Sequence, residues 1–421
     1  MNLVFTRKCN LDCSYCFAKQ KMRSAKTPAE LSKRNLIKVV RFLKNNNESM
    51  LGIIGGEPTL HSNFPDFIEY ILKNGIHPLI FTNGIIPPRS LKYLTKLPPD
   101  RYSILINLND PSKLTAIKRR SLFKTLKTFK GQNNITLGIN FFSEEQDYNY
   151  IINIACKYEF SEIRWSVANP TVESTDHYYK RKYRNMVSRA IVFLKEANAA
   201  GLFTHADDVK ILPCLISSTN IAAINLLDSS SKMIAGSCTS SGIDLDTSLR
   251  IMYCFALPYY GDVRLDKFSS LKDIKKYLCY LYNQLHTIPL FPECDGCQYF
   301  KSSACTGGCL AAKCNYLKIM PESIIVDTIN MPIDLLMKTE FRLRGDLIQL
   351  TNVNKKTCYI SNRKTKQMSL QPPYYAEIIK SCRRKCSFIS TYKLSKTYSK
   401  SKLQKFIVQM HYLGLIDIRI S

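Results

Sequence analysis

Six short apolar runs near the start of the chain constrain its fold more than any other sequence feature. They are NLVFT (2–6), LGIIGG (51–56), HPLIFTN (77–83), YSILINL (102–108), ITLGINFF (135–142) and EIRWSVA (162–168). Runs of this length and composition are typical of buried strands, and polar or helical stretches separate them. The alternation predicts repeated βα units, and therefore an α/β fold with a parallel sheet or an open barrel.

The segment between the first two runs predicts an amphipathic helix. Thr27, Pro28 and Glu30 form a capping signature, so we expect the helix to begin at Thr27. Four apolar residues repeat at helical spacing and predict one buried stripe: Leu36, Val39, Val40 and Leu43. A later helix is expected over about 177–200, ending at Gly201.

The composition narrows the class of protein. The chain has 421 residues, with 60 Lys and Arg against 33 Asp and Glu, a formal charge of +27. This length predicts two or three domains. No apolar run is long enough to span a bilayer, and the start MNLVFTRKCNLDC turns polar too soon for a signal peptide, which predicts a cytoplasmic protein without membrane contact. In that reducing compartment, the 16 cysteines favour metal binding over disulfides.

The cysteines are clustered, and the first cluster directly follows the first predicted strand. CNLDCSYC places Cys9, Cys13 and Cys16 in a CX3CX2C pattern. Three thiolates on one loop can bind three irons of a [4Fe–4S] cluster and leave the fourth iron open to a substrate or cofactor. A zinc knuckle is the alternative, but it needs a fourth ligand, and no other Cys or His occurs before His61.

The motif CNLDCSYCF, including Tyr15, resembles the cysteine loop of the radical S-adenosylmethionine (SAM) superfamily. A second motif supports the resemblance: GGEP, at Gly55, Gly56, Glu57 and Pro58, ends the second predicted strand. The resemblance implies a partial (β/α)6 barrel, a [4Fe–4S] cluster with one open iron, and a GGEP segment that holds the methionine amino group of SAM. By itself, GGE is also typical of a simple turn.

Three asparagines at later strand ends resemble the family's contacts to the SAM ribose and carboxylate. They are Asn83, Asn107 and Asn140. A turn or cap role remains the alternative for each of them. The family resemblance further implies reductive cleavage of SAM to a 5′-deoxyadenosyl radical, which abstracts hydrogen from unactivated carbon, with electrons from a reductase such as flavodoxin or ferredoxin.

The second cysteine cluster resembles a seven-cysteine SPASM domain. Cys238 and Cys254 are separated by fifteen residues, and a CX2CX7CX3CX4C pattern follows at Cys294, Cys297, Cys305, Cys309 and Cys314. The resemblance implies two auxiliary [4Fe–4S] clusters, the first held by Cys238, Cys254 and Cys309. The second would be held by Cys294, Cys297, Cys305 and Cys314.

Three features qualify the SPASM resemblance. The family has CX5C where this chain has seven intervening residues, and a glycine where this chain has Leu249. Cys214 is either a fourth ligand of the first auxiliary cluster or a buried structural thiol. A zinc ribbon is the alternative reading of the region, although it accounts for only four of the seven cysteines.

The last 81 residues carry much of the positive charge. Residues 341–421 contain 17 Lys and Arg against 3 Asp and Glu, a net +14. Three strand-like pieces (342–352, 357–362 and 366–370) precede three helical patterns (374–381, 388–398 and 403–410) and a final strand LIDIRI. This order resembles the winged-helix-like PqqD peptide-recognition domains, which implies a leader peptide bound as an added strand. A basic face for nucleic acid and a merely solvated basic surface are the alternatives.

These patterns predict a partial radical SAM barrel over 1–215, a SPASM-type domain over 216–324 and a PqqD-like domain over 325–421. The predicted function is maturation of a ribosomally synthesised precursor peptide at unactivated carbon. Crosslinking, epimerisation and oxidation all begin with the same hydrogen abstraction. Two alternatives stay open: a radical SAM enzyme that modifies RNA, and a non-catalytic iron–sulfur protein that binds nucleic acid.

Overall fold

A computed structural model gives the arrangement of the chain. It describes residues 1–23, 27–168, 181–206, 214, 216–228, 242–257, 263–286, 291, 294, 296–302, 305–316, 339–343, 348–354, 357–362, 368–371, 386–387, 410 and 416–420.

The described strands fall into one large sheet and two small ones. The large sheet contains β1 (Asn2–Thr6), β2 (Met50–Gly55), β3 (His77–Thr82), β4 (Ser103–Asn107), β5 (Ile135–Phe141), β6 (Glu162–Val167), β7 (Phe203–Ala206), β8 (Asp244–Leu245) and β9 (Ile251–Met252). The small sheets contain β10 (Thr339–Leu343), β11 (Ile348–Asn354), β12 (Thr357–Asn362), β13 (Met368–Gln371), β14 (Cys386–Ser387) and β15 (Ile416–Ile420).

The large sheet has the order β7-β6-β5-β4-β3-β2-β1-β8-β9. All neighbours from β7 to β8 pair in parallel, and only β8 and β9 pair antiparallel. The six predicted strands are therefore confirmed, as is the α/β class. Parallel strands place all their carboxyl ends at one edge, which is where ligands bind in such sheets.

Helices connect the strands. They are α1 (Lys19–Arg23), α2 (Lys33–Asn45), α3 (Phe64–Lys73), α4 (Pro88–Leu94), α5 (Ala116–Thr128), α6 (Asn149–Tyr158), α7 (Arg181–Ala199), α8 (Ser218–Leu227), α9 (Leu271–His286), α10 (Gln298–Lys301) and α11 (Leu310–Tyr316). Helix α7 agrees with the helix expected before Gly201. The predicted stripe of α2 is buried at all four positions.

The predicted start of α2 at Thr27 is wrong. The helix begins at Lys33, and Ser32 caps it by accepting a hydrogen bond from the Asn35 amide. Thr27 is buried instead. The backbone of Glu30 forms a bridge to Thr6 of β1. The segment before the helix thus serves as a short strand-like edge beside β1, and the nearer serine takes the capping role.

The core lies between the large sheet and its helices. Phe5 of β1 is fully buried and packs edge-on against Phe64 and Phe67 of α3, with ring centroids 6.3 Å and 5.7 Å away. Burying one such ring contributes about 2–3 kcal/mol. This packing holds β1, and the loop that leaves it, against the body of the sheet.

Two structural features extend beyond the six βα units. Strand β8 pairs with β1, so part of the segment between Cys238 and Cys254 continues the large sheet. In the terminal segment, β11, β12 and β13 form one antiparallel sheet, whereas β10 pairs with β14 and β15. The single strand predicted over 342–352 is therefore wrong, because it divides between β10 and β11. Apart from Met410, the three helices predicted over 374–410 lie outside the described residues.

Candidate functional site

The CX3CX2C loop follows β1 at the carboxyl edge of the sheet. Cys9, Cys13 and Cys16 are free thiols; Cys9 is exposed and the other two are partly buried. Burial raises the pKa of each thiol, and the pKa of Cys13 is raised further by both of the other two. Three thiols on one short loop at this edge are the donors that a single cluster would take.

The GGEP segment holds this loop in place through its backbone. The Gly56 amide donates to the Thr6 carbonyl at 2.9 Å, and the Glu57 amide donates to the Lys8 carbonyl at 2.8 Å. A Cβ on Gly55 would lie 2.3 Å from the Thr6 oxygen, and one on Gly56 would lie 2.3 Å from the Lys8 oxygen. Both glycines are required because the residues just before Cys9 pass directly over them.

The Glu57 carboxylate is fully buried and joins the ends of β2 and β3. Its Oε1 accepts from the Thr59 amide at 3.2 Å, the Thr59 hydroxyl at 2.5 Å and the Thr82 hydroxyl at 2.8 Å, and its Oε2 accepts from the Asn83 amide at 2.8 Å. Burial raises the pKa of Glu57, and these hydrogen bonds oppose the rise. Pro58 is buried at the start of the next turn. The side chain of Glu57 therefore organises the strand ends, which leaves the backbone for contact with a ligand.

Asn83 links the end of β3 to the cysteine loop. Its Nδ2 donates to Asn10 Oδ1 at 2.7 Å and lies 4.0 Å from Cys9 Sγ, and Asn10 in turn donates to the Ile85 carbonyl at 2.9 Å. This predicted residue therefore stands beside the thiols at the strand edge.

Tyr15 is fixed on the other side of the loop. Its hydroxyl donates to Asn109 Oδ1 at 2.7 Å, and its ring stacks on Phe142 with centroids 4.6 Å apart. Asn109 Oδ1 also lies 3.8 Å from Cys13 Sγ. Asn109 belongs to the same INLND strand end as Asn107, and the sequence analysis missed it because it considered only the first of the two asparagines.

Asn107 and Asn140 lie on β4 and β5 at the same edge. Asn107 Oδ1 accepts from Arg164 Nη1 at 3.2 Å, and Asn140 Oδ1 is hydrogen-bonded to Ser166 of β6. Arg164 and Ser166 were missed, although they alternate with the apolar residues of EIRWSVA and so had to lie on one face of the strand. Together these side chains give strands β4 to β6 a continuous polar edge.

His61 is excluded as the fourth ligand of a zinc knuckle. It is buried, its Nε2 lies 2.9 Å from the Leu31 carbonyl, and its Nδ1 accepts from the Asn63 amide at 3.0 Å. With both ring nitrogens engaged, neither can bind a metal at the cysteine loop. His61 therefore does not supply a fourth ligand for a zinc ion at that loop.

Four cysteines of the later segments line one pocket: Cys214, Cys294, Cys297 and Cys305. Partial burial, followed by the charges of its three pocket neighbours, raises the pKa of Cys214 to about 11. From the sequence, Cys214 was either a fourth ligand of the first auxiliary cluster or a buried structural thiol; its side chain is exposed. The structure instead places it with three cysteines of the second set.

The first auxiliary set is described only in part. The Cys254 carbonyl accepts a hydrogen bond at 2.9 Å from Nζ of Lys21, a buried residue of α1. Burial lowers the pKa of Lys21 to about 8. Cys309 is buried, whereas Cys238 and the side chain of Cys314 lie outside the described residues. Cys254 therefore lies close to the helix that follows the CX3CX2C loop.

A single metal ion and an iron–sulfur cluster require different arrangements of donors. Among the residues that the structure describes, no three Cys, His, Asp or Glu side chains converge on a point that one metal ion could occupy. Each thiolate of a [4Fe–4S] cluster binds a different iron, so its thiolates need not converge on one point. The cysteine loop and the four-cysteine pocket each bring together thiols, which are the donors that such a cluster takes.

Comparison with known proteins agrees with this geometry. Residues 3–147 match the Radical SAM superfamily. The chain therefore contains a radical SAM domain, and the predicted resemblance is confirmed for this part. A probable GTP 3′,8-cyclase from Methanococcus maripaludis is 30% identical over 118 residues, which is 27% of this chain and 39% of the relative. The first curated relatives are matched over only 23–39% of their own length.

Solved structures share the fold over more of the chain. Streptococcus suis SuiB bound to precursor peptide SuiA is 16% identical, with a TM-score of 0.51, over 73% of this chain and 71% of SuiB. The structure of anSMEcpe with bound AdoMet is 17% identical, with a TM-score of 0.52, over 75% of this chain and 94% of anSMEcpe. No helix in the described part of the chain is long and apolar enough to cross a bilayer.

A radical SAM domain implies SAM and a [4Fe–4S] cluster as cofactors. When bound, these groups supply the one-electron cleavage of SAM. The chain's own contribution is positional: three thiols on one loop, a backbone edge at Gly55 and Gly56, and polar side chains on β3 to β6 that face the same region. This arrangement can hold an anionic cluster beside a polar ligand.

Proposed function

We propose that this protein is a radical SAM maturase that modifies a ribosomally synthesised peptide at unactivated carbon. One observation carries the proposal beyond the superfamily: β8 pairs with β1, which attaches the second cysteine region to the same sheet that bears the CX3CX2C loop. Auxiliary clusters on that region would lie beside the radical-generating site, where they can exchange electrons with a substrate.

The cofactor contacts follow the sequence analysis. Cys9, Cys13 and Cys16 bind the SAM-binding cluster. The GGEP backbone, Asn83, Asn107 and Asn140 contact SAM, and Tyr15 borders the site. Auxiliary [4Fe–4S] clusters are bound within the SPASM-type region. The positions of Asn83 beside Cys9 and of Tyr15 beside Asn109 support this assignment.

A peptide substrate is supported by two observations. A structure that shares the fold, SuiB, was solved with its precursor peptide. In the terminal segment, β11 and β13 are the outer strands of a three-stranded sheet, and outer strands can accept a peptide as an added strand. The net +14 of residues 341–421 favours an acidic leader peptide.

The test is anaerobic turnover with candidate precursor peptides, which are chosen by searching the neighbourhood of the gene for short open reading frames. Reduced, cluster-loaded protein should form 5′-deoxyadenosine from SAM, and the peptide should change mass only when SAM and reductant are both present. The Cys13→Ala variant is the matched control and should do neither. Cleavage of SAM without any change in peptide mass would contradict the peptide substrate but not the radical SAM assignment.

A nucleotide substrate is the second candidate, because a curated relative 30% identical over 118 residues is named a probable GTP 3′,8-cyclase. That match stays within 27% of the chain. Adding GTP in place of the peptide to the same assay distinguishes the two substrates. Conversion of GTP would favour a nucleotide substrate, and unchanged GTP would favour the peptide substrate. The positive charge of the chain leaves RNA as a third candidate substrate. Adding RNA in place of the peptide tests it in the same assay.

A further inference from the structure

We propose that Cys214 is the fourth ligand of an auxiliary iron–sulfur cluster whose other ligands are Cys294, Cys297 and Cys305. The four residues line one pocket. The inference rests on the auxiliary clusters of the proposed function but not on its peptide substrate. It replaces Cys314, which the SPASM resemblance implies for this set.

The surroundings of Cys214 support the assignment. The other three cysteines that line its pocket are Cys294, Cys297 and Cys305. Local turns hold those three in place: the Cys297 amide donates to the Cys294 carbonyl at 3.1 Å, and the Cys305 amide donates to the Tyr299 carbonyl at 2.9 Å. Cys214 therefore meets three cysteines whose backbone is already fixed.

The rest of the pocket suits an anionic cluster. Phe291, Tyr299 and Phe300 line the same pocket with aromatic rings and make its surface largely apolar. The Gly307 amide donates to Cys305 Sγ at 3.3 Å, and the positive φ of Gly307, 76°, permits this turn. Such N–H donors stabilise thiolate sulfur.

A buried, positively charged side chain lies next to this pocket. Lys313 is 0% exposed, and its Nζ donates to the carbonyl of Thr306, the residue that follows Cys305. A positive charge at this place favours an anionic group, such as a cluster bound by four thiolates.

The ligand chemistry is balanced by proton release. Each of the four thiols loses its proton and binds one iron, so that a [4Fe–4S] cluster takes four thiolates. The cluster would link Cys214 to Cys294, which lie 80 residues apart in sequence. This crosslink would fix the segment after β7 to the cysteine-rich region.

The test counts iron in the full-length chain with the CX3CX2C loop disabled by Cys9→Ala, Cys13→Ala and Cys16→Ala. After anaerobic reconstitution, this background should retain the auxiliary iron. Adding Cys214→Ala should remove about four irons, or convert one cluster to a three-iron form with an EPR signal in the oxidised state. Cys156→Ala, which changes an exposed thiol on α6, should leave iron and EPR unchanged.

Cys314→Ala in the same background discriminates between the two assignments. Loss of iron from Cys314→Ala together with unchanged iron in Cys214→Ala would overturn the inference. A background that binds no iron at all would instead overturn the auxiliary clusters themselves. Thiol alkylation of the unmutated chain gives a second measurement that needs no substitution: Cys214 is exposed in the cluster-free protein and should react there, and cluster loading should protect it.

Discussion

Gly56 is the residue on which the position of the cysteine loop most directly depends. An alanine Cβ there would lie 2.3 Å from the Lys8 oxygen and 2.7 Å from its carbon. Both are backbone atoms, so the loop must move. We expect Gly56→Ala to reduce the iron bound at the CX3CX2C loop and to lower SAM cleavage at least tenfold, about 1.4 kcal/mol.

The control for this prediction is Gly242→Ala, because among the described residues a Cβ at Gly242 would meet just Asn2 Nδ2, at 3.7 Å. Iron content and 5′-deoxyadenosine formation are measured for both variants. Equal activity of Gly56→Ala and Gly242→Ala would show that the cysteine loop does not depend on the close approach to GGEP.

Leu249 explains one departure from the SPASM pattern. It occupies the position at which the family has glycine, and its φ is +65°, in the left-handed region. The turn is held by Asp246 Oδ1, which accepts from the Ser248 and Arg250 amides at 2.8 Å and 2.9 Å. Leu249 is also buried, at 4% exposure, so packing offsets the backbone cost.

Two substitutions separate packing from backbone strain at Leu249. Both Leu249→Ala and Leu249→Gly lose the buried side chain, which costs about 2–5 kcal/mol. Only glycine also removes the left-handed strain, about 1–2 kcal/mol. We therefore expect the glycine variant to melt above the alanine variant and below the unmutated protein in thermal unfolding. A glycine variant that melts below the alanine variant would contradict the strained turn.

Helix α11 carries the buried Lys313 toward the four-cysteine pocket. Removing a nearby positive charge disfavours the more negative, reduced cluster, so Lys313→Met should make the reduction potential of that cluster more negative. Lys301→Met on α10 is the control, since Lys301 is exposed and solvent screens its charge. Redox titration followed by EPR measures both, in the background that lacks the first three cysteines. Equal potentials in the two variants would argue against a cluster beside Lys313.

The strands and helices show where sequence reasoning succeeds and where it fails. The first six strands were predictable because they read as short apolar runs, and β1, β2 and β4 are each buried at three or more successive positions. Strand β7 was missed because it has four residues, FTHA, with Phe203 exposed. Strand β8 has two residues, and its pairing with β1 and β9 identifies it. Short strands depend on their neighbours more than on their own sequence.

In the candidate site too, the sequence revealed the residues that lie close together along the chain. The cysteines and GGEP were found because each forms a short motif. The partnership of Tyr15 with Asn109 spans 94 positions, and that of Lys21 with Cys254 spans 233, so neither leaves a local pattern. The start of α2 was misplaced because two capping residues, Thr27 and Ser32, lie close together, and the bridge from Glu30 to Thr6 decides between them.

Across the whole molecule, the cysteine loop and the auxiliary region should bind their clusters independently. Their ligands belong to separate loops, so removing one set does not remove the other. We expect Cys9→Ala, Cys13→Ala and Cys16→Ala together to lower iron from about twelve to about eight per chain and to abolish SAM cleavage. Iron and sulfide analysis measures this. Loss of all iron would instead indicate one cooperative unit, and equal iron in both proteins would show that the loop binds none.

The net charge of +27 is a property of the whole molecule, and it affects which partner the protein binds. A leader peptide added as a strand is held by backbone hydrogen bonds as well as by charge, so its affinity should fall modestly with salt. Binding to RNA through lysines and arginines releases counterions, so its affinity should fall steeply, by tenfold or more between about 50 and 200 mM salt. Titrating the full-length protein with the precursor peptide and with single-stranded RNA across this range compares the two slopes. We expect the peptide to bind more tightly at the higher salt. RNA that remains the tighter ligand there would overturn the peptide assignment and leave the sheet of β11, β12 and β13 without its proposed partner.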